Sequence, residues 1–361
     1  MTFDMTPDDE LALVVETARK LAEDELAPQL RDAEAAREVG AALRATWDEV
    51  GFAALELPEP LDGAGLGCLA RVHVNEELAA GDAGAALALD PYGPALTALL
   101  EIGGETAARA LVSAVRAGQD RALLVVDDDA TVVVDGDTVT LDAPWVPAER
   151  AGAVVILAGD EALLATEGLA FEPSRGAGLR AAGAGRLTLK DAPIAARFAD
   201  AEGARRARAR ARLYYASLLL GVMRAACDFS ADYAQEREAF GKKIGHHQAL
   251  AYLVVDMRMA LEAARLVVHE AAWRIDRGLP CAAEAASAWA ECIEASRLIG
   301  PNGVQILGGH GFMADYPVEK HMRESRALGL LCGGFDAAID EAGHHYVDAG
   351  MPLALGVEGA L

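Results

Sequence analysis

The spacing of hydrophobic residues changes twice along the chain and divides it into three parts. In the first part, apolar residues recur at the intervals of a helix face, which predicts a helix from Glu10 to Leu30. A loop rich in Pro and Gly follows over 58–67, and the next helical pattern carries the acidic pair Glu76 and Glu77. We therefore predict a helical N-terminal domain over residues 1–119.

Near Asp120 the hydrophobic pattern changes to that of strands. Short runs of β-branched and aliphatic residues are broken by Asp-Gly and Gly-Asp pairs, and the run ATVVVDGDTVTLD is typical of a hairpin with a tight turn. The run RLTLKDA is the last strand expected in this part. We predict a small antiparallel β-domain over residues 120–201.

Helical spacing returns after Gly203 and continues through the rest of the chain. One long helix is predicted to begin there, with a second from Gln248 to Arg277 and a third from Ala283 to Leu307. Long helices joined by short loops are typical of an up-and-down bundle, so residues 202–361 are predicted to form a C-terminal four-helix bundle. The predicted fold class is mostly α, with one small β-domain in the middle.

The charge of the chain limits the classes of partner. A formal net charge of −24 argues against nucleic acid, because binding its phosphates needs a basic surface. No apolar run reaches about 18 residues, so no membrane span is predicted. The N-terminus is acidic where a signal peptide would be basic, and we expect a soluble, cytoplasmic protein. Five arginines over 205–212 open the long C-terminal helix, and such a charge run is typical of a solvated face.

The cysteines give no sign of a metal site. They form neither a CxxC pair nor a spacing typical of metal ligands. This pattern predicts reduced thiols and no bound metal. The five are Cys68, Cys227, Cys281, Cys292 and Cys332.

Two motifs in the C-terminal part have the residue types of a nucleotide site. In REAFGKKIGHHQ, Arg237 stands at a predicted helix end beside a Gly turn, which suits a bidentate contact with a pyrophosphate. Phe240 is close enough in sequence to cover an adenine or ribose. In QILGGHG, the pair Gly308 and Gly309 lets a backbone approach a planar ligand closely. A structural helix turn without a ligand is the alternative interpretation of each motif.

With these motifs in this order and at this separation, the chain resembles the acyl-CoA dehydrogenase family, flavoenzymes that desaturate acyl-CoA thioesters. The resemblance is strongest from Gly221 to Gly333 and weakest in the middle domain. It implies the fold of that family and FAD as the cofactor, with both motifs binding the FAD of the neighbouring subunit. The residues to which it assigns this cofactor-binding role are Arg237, Phe240, Ile244, His247, Gln248, Gln305, Gly308 and Gly309.

The same resemblance implies two positions for the catalytic base. In the family, the loop after the helix matched by YPVEKHMRESR carries a Glu that removes the substrate α-proton, and Cys332 takes its place here. Some members carry the Glu one residue before an Arg matched by Arg212, and that position is Ala211. Arg212 itself is implied to lie near the active-site floor and bind substrate. Pro147 stands where the family has a Thr-like residue, and it has neither a hydroxyl nor an N–H group to give to a flavin.

Three hypotheses follow from these observations. The first is a subunit without a base that completes the FAD site of another acyl-CoA dehydrogenase chain in a homo- or hetero-oligomer. The second is an independent enzyme that uses Cys332 or another group, although a thiol with a pKa of about 8.5 is largely protonated at neutral pH. The third is a non-catalytic binding or scaffold protein without flavin. The expected partners are an acyl-CoA thioester and an electron-transfer protein.

Overall fold

The computed structural model describes residues 7–118 and 120–348. Within these residues the chain begins with a group of helices, and the predicted helix from Glu10 to Leu30 is helical throughout, with a π-helical turn at Ala22–Leu26. Asp8 caps the first helix because its carboxylate accepts a hydrogen bond from Leu11 N at 2.9 Å. The helices of this part are α1 (Asp9–Leu21), α2 (Ala27–Ala36), α3 (Ala41–Val50), α4 (Cys68–Leu89) and α5 (Gly93–Gly118).

Eight strands follow, as two four-stranded sheets. The first sheet has the order β1-β4-β5-β8 and the second the order β2-β3-β7-β6. The predicted hairpin is confirmed: β2 and β3 pair in antiparallel register, with Asp135 opposite Thr138. The strands are β1 (Ala122–Val126), β2 (Thr131–Asp135), β3 (Thr138–Val146), β4 (Ala153–Ala158), β5 (Glu161–Ala165), β6 (Ala170–Pro173), β7 (Gly185–Pro193) and β8 (Ala196–Ala199).

One strand pair departs from the antiparallel arrangement that we predicted. β1 and β4 run parallel, with Ala122 opposite Ala153 and Val126 opposite Leu157. The reason lies in the connection between them, because the hairpin of β2 and β3 belongs to the other sheet. The chain therefore leaves the first sheet after β1 and returns to it in the same direction, as a crossover allows. The short alternating runs do not reveal which sheet each strand joins.

The C-terminal part is helical, as predicted. The central helix α8 packs against α6, α7, α9 and α10, and its Trp289 is fully buried. Among the described residues no helix is long and apolar enough to cross a membrane. The elements are α6 (Ala201–Glu236), the small hairpin strands β9 (Glu238–Ala239) and β10 (Lys242–Lys243), α7 (Gln248–Asp276), α8 (Ala282–Leu307), α9 (Val318–Leu328) and α10 (Gly334–Asp348).

A buried ionic cluster joins α4 to α9. Asp82 interrupts α4 with an extended backbone, and its Oδ1 caps the next turn by accepting a hydrogen bond from Ala85 N at 3.1 Å. The same oxygen accepts a hydrogen bond from Lys320 Nζ at 3.0 Å, and Glu324 also accepts one from this ammonium group. All three side chains are almost completely buried. The cluster therefore fixes α9, the helix that leads to the loop at Cys332.

Candidate functional site

A cleft of about 340 Å³ lies at the end of α6, between α7 and the end of α8. Arg237 and Gln305 come from the two predicted motifs, and Gly308 and Gly309 form another part of its wall. Ile244 is buried beneath it. The full lining is Tyr233, Arg237, Ile244, Leu250, Gln305, Ile306, Leu307, Gly308, Gly309 and His310. Five predicted cofactor-binding residues, far apart in sequence, are thus brought together.

Arg237 is held by its backbone, while its side chain stays available. Its N–H group donates to Tyr233 O at 2.9 Å and ends α6, and its carbonyl oxygen accepts from Ile244 N at 2.8 Å. Its exposed guanidinium makes no hydrogen bond or ion pair with any residue that the structure describes. The guanidinium is planar and carries five N–H donors, and the backbone that supports it is fixed. Such a side chain suits bidentate recognition of a phosphate.

The glycine pair leaves the cleft open. Gly308 ends α8 with a φ of +58°, a conformation that strongly favours glycine. A Cβ atom at Gly308 or Gly309 would meet no atom within 4 Å, so both backbones face open space. Beside them the ring of His310 stacks on Tyr316 at 5.0 Å, and its Nδ1 lies 2.7 Å from Tyr233 Oη.

The other three predicted cofactor residues lie beside the cleft and do not line it. Phe240 forms the turn between β9 and β10 and is 96% exposed. Its ring lies 6.1 Å from that of His247, whose Nε2 donates to Ala239 O at 3.2 Å. Gln248 begins α7 and hydrogen-bonds Tyr252. The Phe240 ring is therefore accessible to another molecule.

The loop at Cys332 is closed. Cys332 and Gly333 follow α9, and their N–H groups donate to the two carboxylate oxygens of Asp129 at 2.8 Å and 2.6 Å. Burial, and then the charge of Asp129, raises the pKa of the Cys332 thiol well above its ordinary value. The thiol is therefore protonated at neutral pH. The contact with Asp129, which follows β1, was missed by the sequence analysis.

Ala211 and Arg212 lie on α6, and both are buried. Arg212 is 2% exposed and forms an ion pair with Glu341 of α10. Burial raises the pKa of both Asp129 and Cys332, and the charge of Arg212 opposes this rise, so its guanidinium lies near the closed loop. The assignment of Arg212 to substrate stays a prediction.

The cleft and the loop are far apart within one chain. Arg212 and Arg237 are separated by 25 positions of α6 and its C-cap. At the helical rise of 1.5 Å per residue this is about 37 Å. The cleft at Arg237 and the loop at Cys332 are therefore too distant to hold the reacting part of one ligand between them.

The comparisons with known proteins identify the family. The model of the acyl-CoA dehydrogenase N-terminal domain matches residues 8–119, and that of the C-terminal domain matches residues 203–337. The mitochondrial short-chain specific acyl-CoA dehydrogenase of Bos taurus is 30% identical over 351 residues, covering 88% of this chain and 85% of the relative. The chain belongs to the acyl-CoA dehydrogenase family, and the predicted resemblance is confirmed.

Solved structures support the same fold. Butyryl-CoA dehydrogenase from Megasphaera elsdenii superposes with a TM-score of 0.82 at 21% identity, over 95% of this chain and 99% of that one. The ChsE4-ChsE5 complex from Mycobacterium tuberculosis gives a TM-score of 0.81 at 22% identity, over 97% and 100%. Members of the family are flavoproteins that use FAD and oxidise CH–CH groups.

The cleft fits the nucleotide part of FAD. It offers the unpaired guanidinium of Arg237 and a glycine backbone open to an approaching ligand. The aromatic rings of Tyr233 and His310 supply apolar surface beside them. The described residues contain no cluster that could hold a metal ion, and all five cysteines are buried and free.

Proposed function

We propose that the chain is a subunit of a hetero-oligomeric acyl-CoA dehydrogenase, and that it completes the FAD site of a partner chain without supplying a catalytic base. The residues at the two base positions, the buried thiol of Cys332 and Ala211, carry this proposal. The separation of about 37 Å along α6 between Arg237 and Arg212 leaves the cleft to serve a neighbouring chain. The open cleft lies at one end of α6 and the closed loop at the other. This arrangement suits a subunit that binds the cofactor of a partner chain. The proposal retains the division into residues 1–119, 120–201 and 202–361.

The chemistry at the loop supports the absence of a base. Removal of an α-proton from a thioester needs an acceptor within hydrogen-bond reach of the α-carbon. Position 332 holds a thiol whose pKa is raised by burial, and position 211 holds an alanine. The carbonyl oxygen of Pro147 accepts a hydrogen bond from the buried Arg121, so this segment is tied into the chain itself.

The bound FAD supplies hydride acceptance, and the residues of this chain supply binding. Arg237 is proposed to hold the pyrophosphate, and the backbones of Gly308 and Gly309 are proposed to lie against the nucleotide. Gln305, Gln248, Ile244 and His247 are assigned to the same contact, with Phe240 reaching across to the partner. No proton transfer is assigned to any residue of this chain.

The surface of α7 supports assembly. Tyr252, Val255, Met259 and Leu266 recur at helical spacing, and each is between 51% and 66% exposed. An apolar stripe of this kind beside the cleft is typical of a protein interface. A solved neighbour, the ChsE4-ChsE5 complex, is by its name an assembly of two different chains. We infer a dimer or tetramer that contains an acyl-CoA dehydrogenase chain, with an acyl-CoA thioester as the substrate and an electron-transfer protein as a further partner.

Replacement of Cys332 should distinguish a subunit without a base from an enzyme that uses a thiol as its base. Cys332→Ala is expected to leave the turnover of the assembled complex nearly unchanged, because the thiol moves no proton. Loss of a general base would instead lower the rate by about 10²–10⁴-fold. Turnover of an acyl-CoA with an artificial electron acceptor measures the difference. A hundredfold loss with flavin retained would show that Cys332 takes part in the chemistry.

Purification of the chain alone and together with an acyl-CoA dehydrogenase encoded beside it tests the proposal. Visible absorbance gives the flavin content of each preparation. We expect flavin only in the copurified complex. Flavin and turnover in the lone chain would instead support an independent enzyme, and no flavin in either preparation would support a scaffold protein.

A further inference from the structure

The turn after β1 lies directly on the loop that precedes α10. Cys332, Gly333 and Gly334 have φ values of +53°, +75° and +61° in succession. In this turn the N–H groups of Cys332 and Gly333 converge, as in the backbone concavities that hold an anion or a polarised oxygen, while that of Gly334 donates to Leu331 O at 3.1 Å. The start of α10 adds positive potential there. The Asp129 carboxylate fills this position, with one oxygen on each N–H group at 2.8 Å and 2.6 Å.

The turn is held in place on both sides. Asp127 accepts a hydrogen bond from Gly159 N at 2.7 Å and forms an ion pair with Arg208 of α6. A Cβ atom at Gly333 would lie 2.8 Å from that of Asp128, so no side chain fits between the turn and the loop. The turn is thus a fixed part of the fold, and it leaves no room for a ligand at the N–H pair.

Several buried groups around Asp129 affect the pKa of its carboxyl group in opposite directions. Burial raises the pKa of Asp129 to about 6, while the N–H groups of Gly333 and Cys332 oppose this shift, and Asp128 strengthens it. Burial raises the pKa of Tyr215, and the charge of Asp129 adds to this rise, so the phenol lies near the carboxylate. Arg212 approaches from α6, and its buried Nε finds no hydrogen-bond partner among the described residues. A buried donor without a partner among the described residues thus lies near the two amides that Asp129 occupies.

We propose that the Asp127–Asp129 turn is a built-in plug. Its Asp129 carboxylate occupies the N–H groups of Cys332 and Gly333 and thereby closes a site that would otherwise take the carboxylate or carbonyl oxygen of an external ligand. The plug concerns one chain alone and needs no partner or flavin. It goes beyond the missing base, because it adds a second feature, the occupied N–H groups, that would keep a ligand from this end of the chain.

Asp129→Ala tests the plug, with the thiol of Cys332 as the reporter. The lone variant is treated with N-ethylmaleimide at neutral pH, and each cysteine is followed by peptide mass spectrometry. We expect Cys332 to be labelled at least tenfold faster than in the wild-type chain, with Cys68 unchanged. Sodium formate, compared with sodium chloride at equal ionic strength, should slow the labelling of Cys332 in the variant and leave the wild-type rate unaltered.

The chain offers a matched control in Asp276. Its carboxylate also accepts two adjacent backbone N–H groups, from Cys68 at 2.7 Å and Leu69 at 2.9 Å, at the start of α4. Asp276→Ala is expected to leave Cys332 at its wild-type rate. Equal acceleration of Cys68 and Cys332 in Asp129→Ala would indicate general loosening and overturn the plug.

Two further results would also overturn it: a wild-type labelling rate of Cys332 in the folded variant, or no difference between formate and chloride. If Asp129→Ala does not fold, Asp129→Asn replaces it, since its amide keeps one acceptor oxygen. A smaller acceleration of Cys332 is then expected, and an unchanged rate would contradict the plug. Because the lone chain is used without flavin, these results do not depend on the proposed subunit role.

Discussion

Replacement of Arg237 by Ala is expected to strip flavin from the copurified complex. Truncating one partner of a buried charge pair typically costs about 2–5 kcal/mol of binding, which is about 30-fold to several thousand-fold in affinity. The guanidinium has no partner among the described residues, so the loss is expected in cofactor binding and not in folding. Flavin content by visible absorbance, with circular dichroism to check the fold, measures the effect.

Two other variants make the Arg237 result specific. Arg237→Lys retains the charge but loses the planar fork, and should bind flavin with intermediate affinity. Arg150→Ala removes an exposed arginine paired with Asp120 in the middle part of the chain and should retain full flavin content. A folded Arg237→Ala complex with unchanged flavin would refute the role of the cleft.

Replacement of Lys320 by Met is expected to destabilise the chain by about 3–5 kcal/mol, as when one partner of a buried ion pair is removed. Lys320 is 2% exposed and neutralises both Asp82 and Glu324. Without it, two buried carboxylates face each other between α4 and α9. Denaturant unfolding gives the change, and Arg150→Ala, whose ion pair is exposed, should lose less than about 1 kcal/mol.

The Lys320→Met loss should depend on pH. Burial raises the pKa of Glu324 to about 7, although Lys320 opposes the shift. This folded-state pKa lies above the unfolded value of about 4.3, so protonation of Glu324 favours the folded state. The stability that protonation contributes is present at low pH and is lost as the pH rises through 7. Removing Lys320 takes away the charge that lowers the pKa of Glu324, so in the variant Glu324 is expected to hold a proton at about pH 5.5. The destabilisation should therefore be smaller at about pH 5.5 than at about pH 9. An equal loss at both pH values would show that Glu324 does not take up the proton.

Local sequence patterns were sufficient to predict the helices, the hairpin and about half of the residues that line the cleft. The Arg beside a Gly turn at 237 and the Gly pair at 308–309 predicted a nucleotide site, and the structure brings these residues to one cleft. Tyr233 and His310 were missed, because an aromatic residue within a helix or a 3₁₀ turn is typical of ordinary packing.

Contacts between distant parts of the chain were not predictable in the same way. Asp129 meets Cys332 across 203 positions, and Asp82 meets Lys320 across 238. An Asp in a turn after a strand is typical of solvent exposure, and only the packing of the first sheet against α5 and α6 brings this one to the loop at Cys332. The sequence pattern carries no information about this packing.

The arginine run at the start of α6 corrects an expectation about charge. A solvated face was predicted, yet Arg206, Arg208 and Arg210 form ion pairs with carboxylates of other elements. Arg210 is paired with both Glu56 and Glu101. In a chain with a net charge of −24, arginines are scarce counter-ions, and helix packing brings them to buried carboxylates.

The number of flavins in the assembled complex tests the central claim most directly. Native mass spectrometry of the copurified complex gives the number of each chain and of bound FAD in one measurement. The account predicts one FAD for every two chains, because this chain contributes the Arg237 cleft to its partner's cofactor, while Pro147 in its own middle domain has neither a hydroxyl nor an N–H group to give to a flavin. One FAD for every chain would contradict it.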